Sequence, residues 1–219
     1  MDNRPSWKLA LGRRVADILR SPACQRMDYW YGGLHIDGAG FRRVATLVEN
    51  GRIDVIVEAQ PDKAAASYSA EDAFSFSRAD WGAGPDLFER VAIVHEAVHA
   101  LRDTHGRTLM YAGRKHRPLA VTDEAMAYVA GCLYSIYLDR LAGRPPDPEP
   151  LWLTQRKATM HREAYAVALR MWDLPPGTPV SVADAKTLRV AYRTSTRKLR
   201  GTAPPRYYSY DGVKSLPRQ

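Results

Sequence analysis

The chain has 219 residues, enough for one large domain or one domain with appendages, and 45% of them are hydrophobic, which excludes wholesale disorder. Its 32 Lys and Arg exceed its 24 Asp and Glu, giving a formal net charge of +8 that would suit an acidic partner but is dispersed rather than gathered into one stripe. The 2 cysteines provide no disulfide framework, and no apolar run reaches membrane-spanning length.

The opening residues, MDNRPSWKLALGRR, lack an apolar core of signal-peptide length, so a cytoplasmic location is the default expectation, alongside export by a signal-independent route. Trp7, Leu11, Val15, Ile18 and Leu19 recur at helical spacing behind Pro5 and predict a helix over 5–19. The YWYGG segment at 29–33 reads as a turn with aromatic anchors. Phe41, Val44, Leu47 and Val48 then mark a short helix that Gly51 ends. Residues 52–58, RIDVIVE, alternate and are rich in β-branched side chains, so they predict a strand. A second strand is expected over 73–77, where Phe74 and Phe76 point the same way, and PDKAAASYSAED between them is a turn or a short additional strand.

Gly84-Pro85-Asp86 stops that region, and Asp86 as N-cap with Glu89 three residues on forms a capping box. The apolar positions from Leu87 to Leu101 are broad enough for a largely buried helix. Residues 104–121 are basic and glycine-containing and read as a loop with a short strand at 108–111. Thr122 caps the next helix, with Asp123 and Glu124 in its electropositive first turn, and GRPPDPEP breaks it after Leu141. Cys132, within that apolar pattern, reads as a buried small hydrophobe. Further helices are predicted over 151–172 and 182–193, and TSTRKLRGTAPPRYYSYDG reads as a docked tail. No internal repeat is visible. The fold class is therefore α+β, mainly helical with a small sheet before the central helix. Three segments are expected: 1–60 packing on the core, 61–145 forming it, and 146–219 adding C-terminal helices and a basic tail within the same domain.

The chemistry concentrates in AIVHEAVHAL, where His95-Glu96-Ala97-Val98-His99 spells HExxH inside an apolar helix. Histidines four apart stack on one helix face, so both imidazoles can reach one ion. Glu96 lies on the adjacent edge, free to accept a proton from a water on that metal. A zinc site of this kind needs a third protein ligand. His105 is one candidate: His95, His99 and His105 follow the metzincin spacing HExxHxxGxxH, and Met110-Tyr111 resembles part of that family's methionine turn. Arg102, however, replaces the glycine with which those enzymes leave the helix, so the helix would continue and carry His105 to another face.

Glu124 is the second candidate, in TDEAMAYVAG, where Ala127, Ala130 and Gly131 permit close approach of the histidine helix. The 24 residues between His99 and Glu124 are enough to return the chain antiparallel. Here the sequence resembles the glutamate-ligand zinc peptidases, the gluzincins, most closely their minimal bacterial members, over about residues 68–141. That resemblance implies a zincin-like fold, Zn2+ held by His95, His99 and Glu124, and Glu96 as catalytic base. Asp123 is either an outer partner of a histidine, a helix-start residue or itself the ligand.

The function so implied is zinc-dependent hydrolysis of peptide bonds in a protein or peptide substrate, with Glu96 assisting attack by metal-bound water. Tyr128, one turn after Glu124, is the first choice for a second donor to the oxyanion, or else a packing aromatic; Tyr111, His116 and His105 are weaker choices. By the same resemblance the strand at 73–77 is an edge that pairs with extended substrate, with Phe74 and Phe76 on its buried side. Arg107, Arg114, Lys115, His116 and Arg117, if they line the cleft, favour acidic substrates. Two other classes stay in view. One is a basic nucleic-acid-binding protein, suggested by RTSTRKLR and YYSY though without a recognised nucleic-acid motif. The other is a metal-stabilised, non-catalytic interaction protein.

Overall fold

The structure, a computed structural model, describes residues 4–58, 65–69, 71–77, 84–111, 119–154, 159–200 and 213. It is α+β and mostly helical, with two small open sheets, a zincin-like arrangement.

Helix α1 (Ser6–Arg20) buries Leu11, Val15, Ile18 and Leu19 and packs on α3 (Gly38–Glu49). The short α2 (Pro22–Gln25) leads into a hairpin, β1 (Asp28–Tyr31) and β2 (Leu34–Asp37). The sequence reading of YWYGG as a turn was too broad. Only Gly32 (φ 56) and Gly33 (φ 77) turn, both in the left-handed region that a two-residue hairpin requires, while Tyr29 and Tyr31 are strand residues facing the core. Asp37 then caps α3, its carboxylate accepting the Gly40 N–H at 2.6 Å.

The second sheet combines β3 (Asp54–Val57), β4 (Ala66–Ser69) and β5 (Ala73–Phe76) in the order β3-β5-β4. β3 runs parallel to β5, and β4 runs antiparallel to it with Tyr68 opposite Phe74. β5 is therefore the central strand, with Phe74 and Phe76 fully buried, and its expected edge position is corrected: the edges are β3 and β4. β5 is paired with a strand on each side, so its backbone offers no free edge.

Helix α4 (Leu87–Tyr111) starts at the expected capping box: Glu89 N–H donates to Asp86 at 2.8 Å, and Asp86 N–H donates to Glu89 at 2.9 Å. It does not end near Leu101, and the strand expected over 108–111 is helix instead. Arg102, Asp103 and Thr104 continue it because they are buried with polar partners; Thr104, for example, donates its hydroxyl to the Leu101 carbonyl at 2.7 Å. Helix α5 (Ala120–Leu141) begins two residues before the expected Thr122 cap, with the Leu119 carbonyl accepting the Thr122 and Asp123 amides. α4 and α5 run antiparallel, since His95 approaches Glu124 while Val91 approaches Gly131.

After α6 (Leu151–Thr154), α7 (Thr159–Met171) packs on α5; residues 155–158 of the single helix expected over 151–172 lie outside the described residues. β6 (Thr178–Pro179) pairs in parallel with β1 and completes the first sheet in the order β2-β1-β6. The last helix, α8 (Val182–Arg200), continues seven residues past the expected end at 193, so the start of the expected tail is helical. Its inner residues Leu188, Ala191, Tyr192, Ser195 and Thr196 are buried, and that apolar-and-hydroxyl stripe carries the helix through the basic run. Most of the expected tail lies outside the described residues. One cluster of buried side chains runs from Leu11 to Val213. Among the described residues, no helix is long and apolar enough to cross a membrane.

Candidate metal centre

α4 presents His95 and His99 on one face, one turn apart, with ring centroids 5.1 Å apart and their Nε2 atoms 3.4 Å apart. Glu124, in the first turns of α5, approaches both: Oε2 is 3.4 Å from His95 Nε2, and Oε1 is 3.9 Å from His99 Nε2. The ligand atoms of these three residues all lie within 4.8 Å of one another, and theirs is the one such group of His, Cys, Asp and Glu among the described residues. Two imidazole nitrogens and a carboxylate at one point form the donor set of a three-ligand catalytic zinc site. These residues fit such an ion.

Asp123 lies behind this triangle. Its Oδ2 is 2.7 Å from His99 Nδ1, the nitrogen that faces away from Glu124, and its side chain is fully buried. Nδ1 is thus engaged by a carboxylate and Nε2 is left pointing at the cluster. Burial alone would lower the His99 pKa, but Asp123, Glu124 and Glu96 together outweigh it and push it up to about 10. Without a metal, a proton supplies part of the positive charge that three surrounding carboxylates demand.

Glu96 is held beside the triangle. One oxygen lies 3.8 Å from His95 Nε2 and the other accepts the Tyr68 backbone N–H of β4 at 2.9 Å. Burial raises its pKa above the ordinary carboxylate value, and Glu124 adds to this; His95, His99 and the Tyr68 amide act in the opposite direction. The Tyr68 hydroxyl in turn donates to Asp103 at 3.0 Å, anchoring the edge strand to α4 from both ends of one residue.

Tyr128 stands edge-on to His95, with ring centroids 4.6 Å apart, and on its far side edge-on to His161 of α7 at 4.9 Å. It therefore borders the histidine pair and also packs within a stack of rings. His161 was not singled out in the sequence, because it lies far along the chain on a helix without a motif; its only sequence signal was its residue type. His105 stays on α4, where its Nδ1 is 2.9 Å from the Leu101 carbonyl and it does not join the cluster. Six residues of helix rotate it about 240° from His99, as the Arg102 argument anticipated. Tyr111 is the last residue of α4, whereas Arg114, Lys115, His116 and Arg117 lie outside the described residues.

The α+β arrangement is zincin-like, and within it His95, His99 and Glu124 form a cluster that could coordinate a metal ion such as Zn2+. In comparisons with known proteins, no family model, no curated protein and no solved structure matches the chain.

Proposed function

We propose that the protein is a zinc-dependent peptidase in which His95, His99 and Glu124 hold the metal and Glu96 is the catalytic base. The observation that carries this reading is the position of Glu96, close to the three-residue cluster yet outside it and fixed by a backbone amide. A purely structural zinc site is closed by four protein ligands; among the described residues the cluster has three, with a carboxylate poised alongside. When bound, zinc would polarise the substrate carbonyl and lower the pKa of the attacking water.

Glu96 accepts the proton of that water and delivers it to the departing amine. The Tyr68 amide keeps the carboxylate aimed, and Tyr128, whose ring borders His95, serves as the second donor to the oxyanion. An extended peptide would lie along β4, an edge strand that meets Glu96 at the Tyr68 amide, and would pair with backbone groups other than that amide.

Two measurements test the reading. Purified protein should carry about one tightly bound zinc per chain and hydrolyse members of a protein and peptide panel. Glu96→Gln should retain zinc and fold while hydrolysis falls by at least about a hundredfold. Protein with well under stoichiometric zinc, and no activity after zinc is added, would overturn it. Zinc binding without turnover by the parent chain would instead favour a metal-stabilised interaction protein.

A further inference from the structure

Behind the ligand cluster lies a buried arginine that the proposed chemistry does not use. Arg102 follows His99 by one turn on α4, and its side chain is only 4% exposed. Its Nε is 3.0 Å from Asp123 Oδ1, the oxygen opposite the one that meets His99. Its Nη2 is 3.4 Å from the Gly32 carbonyl and 3.0 Å from Met126 Sδ. A continuous polar path therefore runs from the tip of the β1–β2 hairpin through Arg102 and Asp123 to His99.

We infer that Arg102 is a positioning residue for the metal site, acting on His99 through Asp123 and bracing both against the hairpin. The inference rests on the zinc-site reading above. Its physical basis is the placement of Asp123, a carboxylate with 0% side-chain exposure between a guanidinium and an imidazole. A buried carboxylate needs compensating charge, which the Arg102 guanidinium supplies as an ion pair on Oδ1, and the donation from Nη2 to the Gly32 carbonyl limits how far that guanidinium can shift. With Asp123 fixed, His99 cannot rotate, so its Nε2 faces His95 and Glu124 before any ion arrives. The hairpin contributes because Gly32 approaches α5 closely: a Cβ there would sit 2.7 Å from Thr122 Cγ2. The site is thus preorganised by an element distant in sequence, and the arginine standing at the metzincin glycine position has a task of its own.

The test is a double-substitution cycle read as zinc affinity by chelator competition, with thermal melting of the metal-free proteins alongside. Arg102→Gln should weaken zinc binding about 10–100-fold, the usual cost of losing a partner behind a ligand. Arg102→Lys, which restores charge but not the fork, should recover part of that loss. In an Asp123→Asn background the same Arg102→Gln change should cost little further affinity, because the path is already broken. A merely structural arginine would lower melting temperature in both backgrounds and leave the affinity loss additive. If Arg102→Gln does not fold, Arg102→Lys carries the comparison in both backgrounds. Unchanged affinity, or an equal loss with and without Asp123, would overturn the inference while leaving the zinc reading intact. Failure of the parent chain to bind zinc tightly would remove both.

Discussion

Glu124 completes the histidine pair from a different helix, so the claim that it is the third ligand can be separated from every competing residue. Glu124→Gln keeps the size of the side chain and removes its charge. It should weaken zinc binding by more than the roughly 10–100-fold that an outer partner costs. His105→Ala should leave zinc affinity unchanged, because that ring is already engaged by the Leu101 carbonyl on its own helix. Zinc titration of the two variants checks this, and the reverse pattern would move the third ligand to His105. The HExxH pair was legible in the sequence because both histidines share one helix, where spacing alone fixes their relation. Asp123 remained ambiguous for the opposite reason. Adjacent acids on a helix diverge by about 100°, and only the packing of α5 on α4 determines which one faces the ion.

At the level of elements, the geometry depends on how closely α4 and α5 approach. Gly131 is the tight point: an added Cβ would meet Val91 Cγ1 at 3.0 Å and the Val91 carbonyl oxygen at 3.2 Å. Gly131→Val must push the two helices apart at the end remote from the ligands, an overpacking that typically costs about 1–3 kcal/mol. Thermal melting should show that loss, and zinc affinity should fall with it because Glu124 moves relative to His95 and His99. Lost stability with undiminished zinc affinity would show that the two ends of the helix pair are uncoupled. The small residues TDEAMAYVAG already signalled close packing in the sequence. The length of α4 was not legible, because its basic, polar continuation resembles a loop until Arg102, Asp103 and Thr104 are seen to be buried. The hairpin was obscured for a related reason: four-residue strands beside a Gly-Gly turn carry too short an alternation to register.

For the molecule as a whole, a bound metal would compete with a proton for the cluster. In the metal-free protein His99 holds its proton up to about pH 10, whereas an unfolded histidine releases it near 6.5. Between those values the native state binds more protons than the unfolded chain, so stability falls as pH rises. His99's contribution is fully present below 6.5 and is lost as pH climbs through 10. Glu96, whose carboxyl is also raised, pulls in the same direction from lower pH. Chelator-treated protein should therefore show a lower urea midpoint at about pH 9 than at about pH 6, while zinc-loaded protein should be much less sensitive. A metal-free protein equally stable at both would contradict the charge balance of the cluster.

The sequence by itself determined the α+β class, the capped central helix, the histidine pair with its neighbouring glutamate, and a short list of third ligands. These are local properties, set by residue spacing along one helix and by turn and cap chemistry. The tertiary structure alone decided that Glu124 rather than His105 joins the histidines, that Asp123 stands behind His99, and that β5 is a central strand between β3 and β4. It also brought His161 to Tyr128 and Arg102 to the hairpin. Those relations join residues up to 70 positions apart, and they arise where helices and sheets pack against one another, at distances over which a chain's local periodicity carries no information.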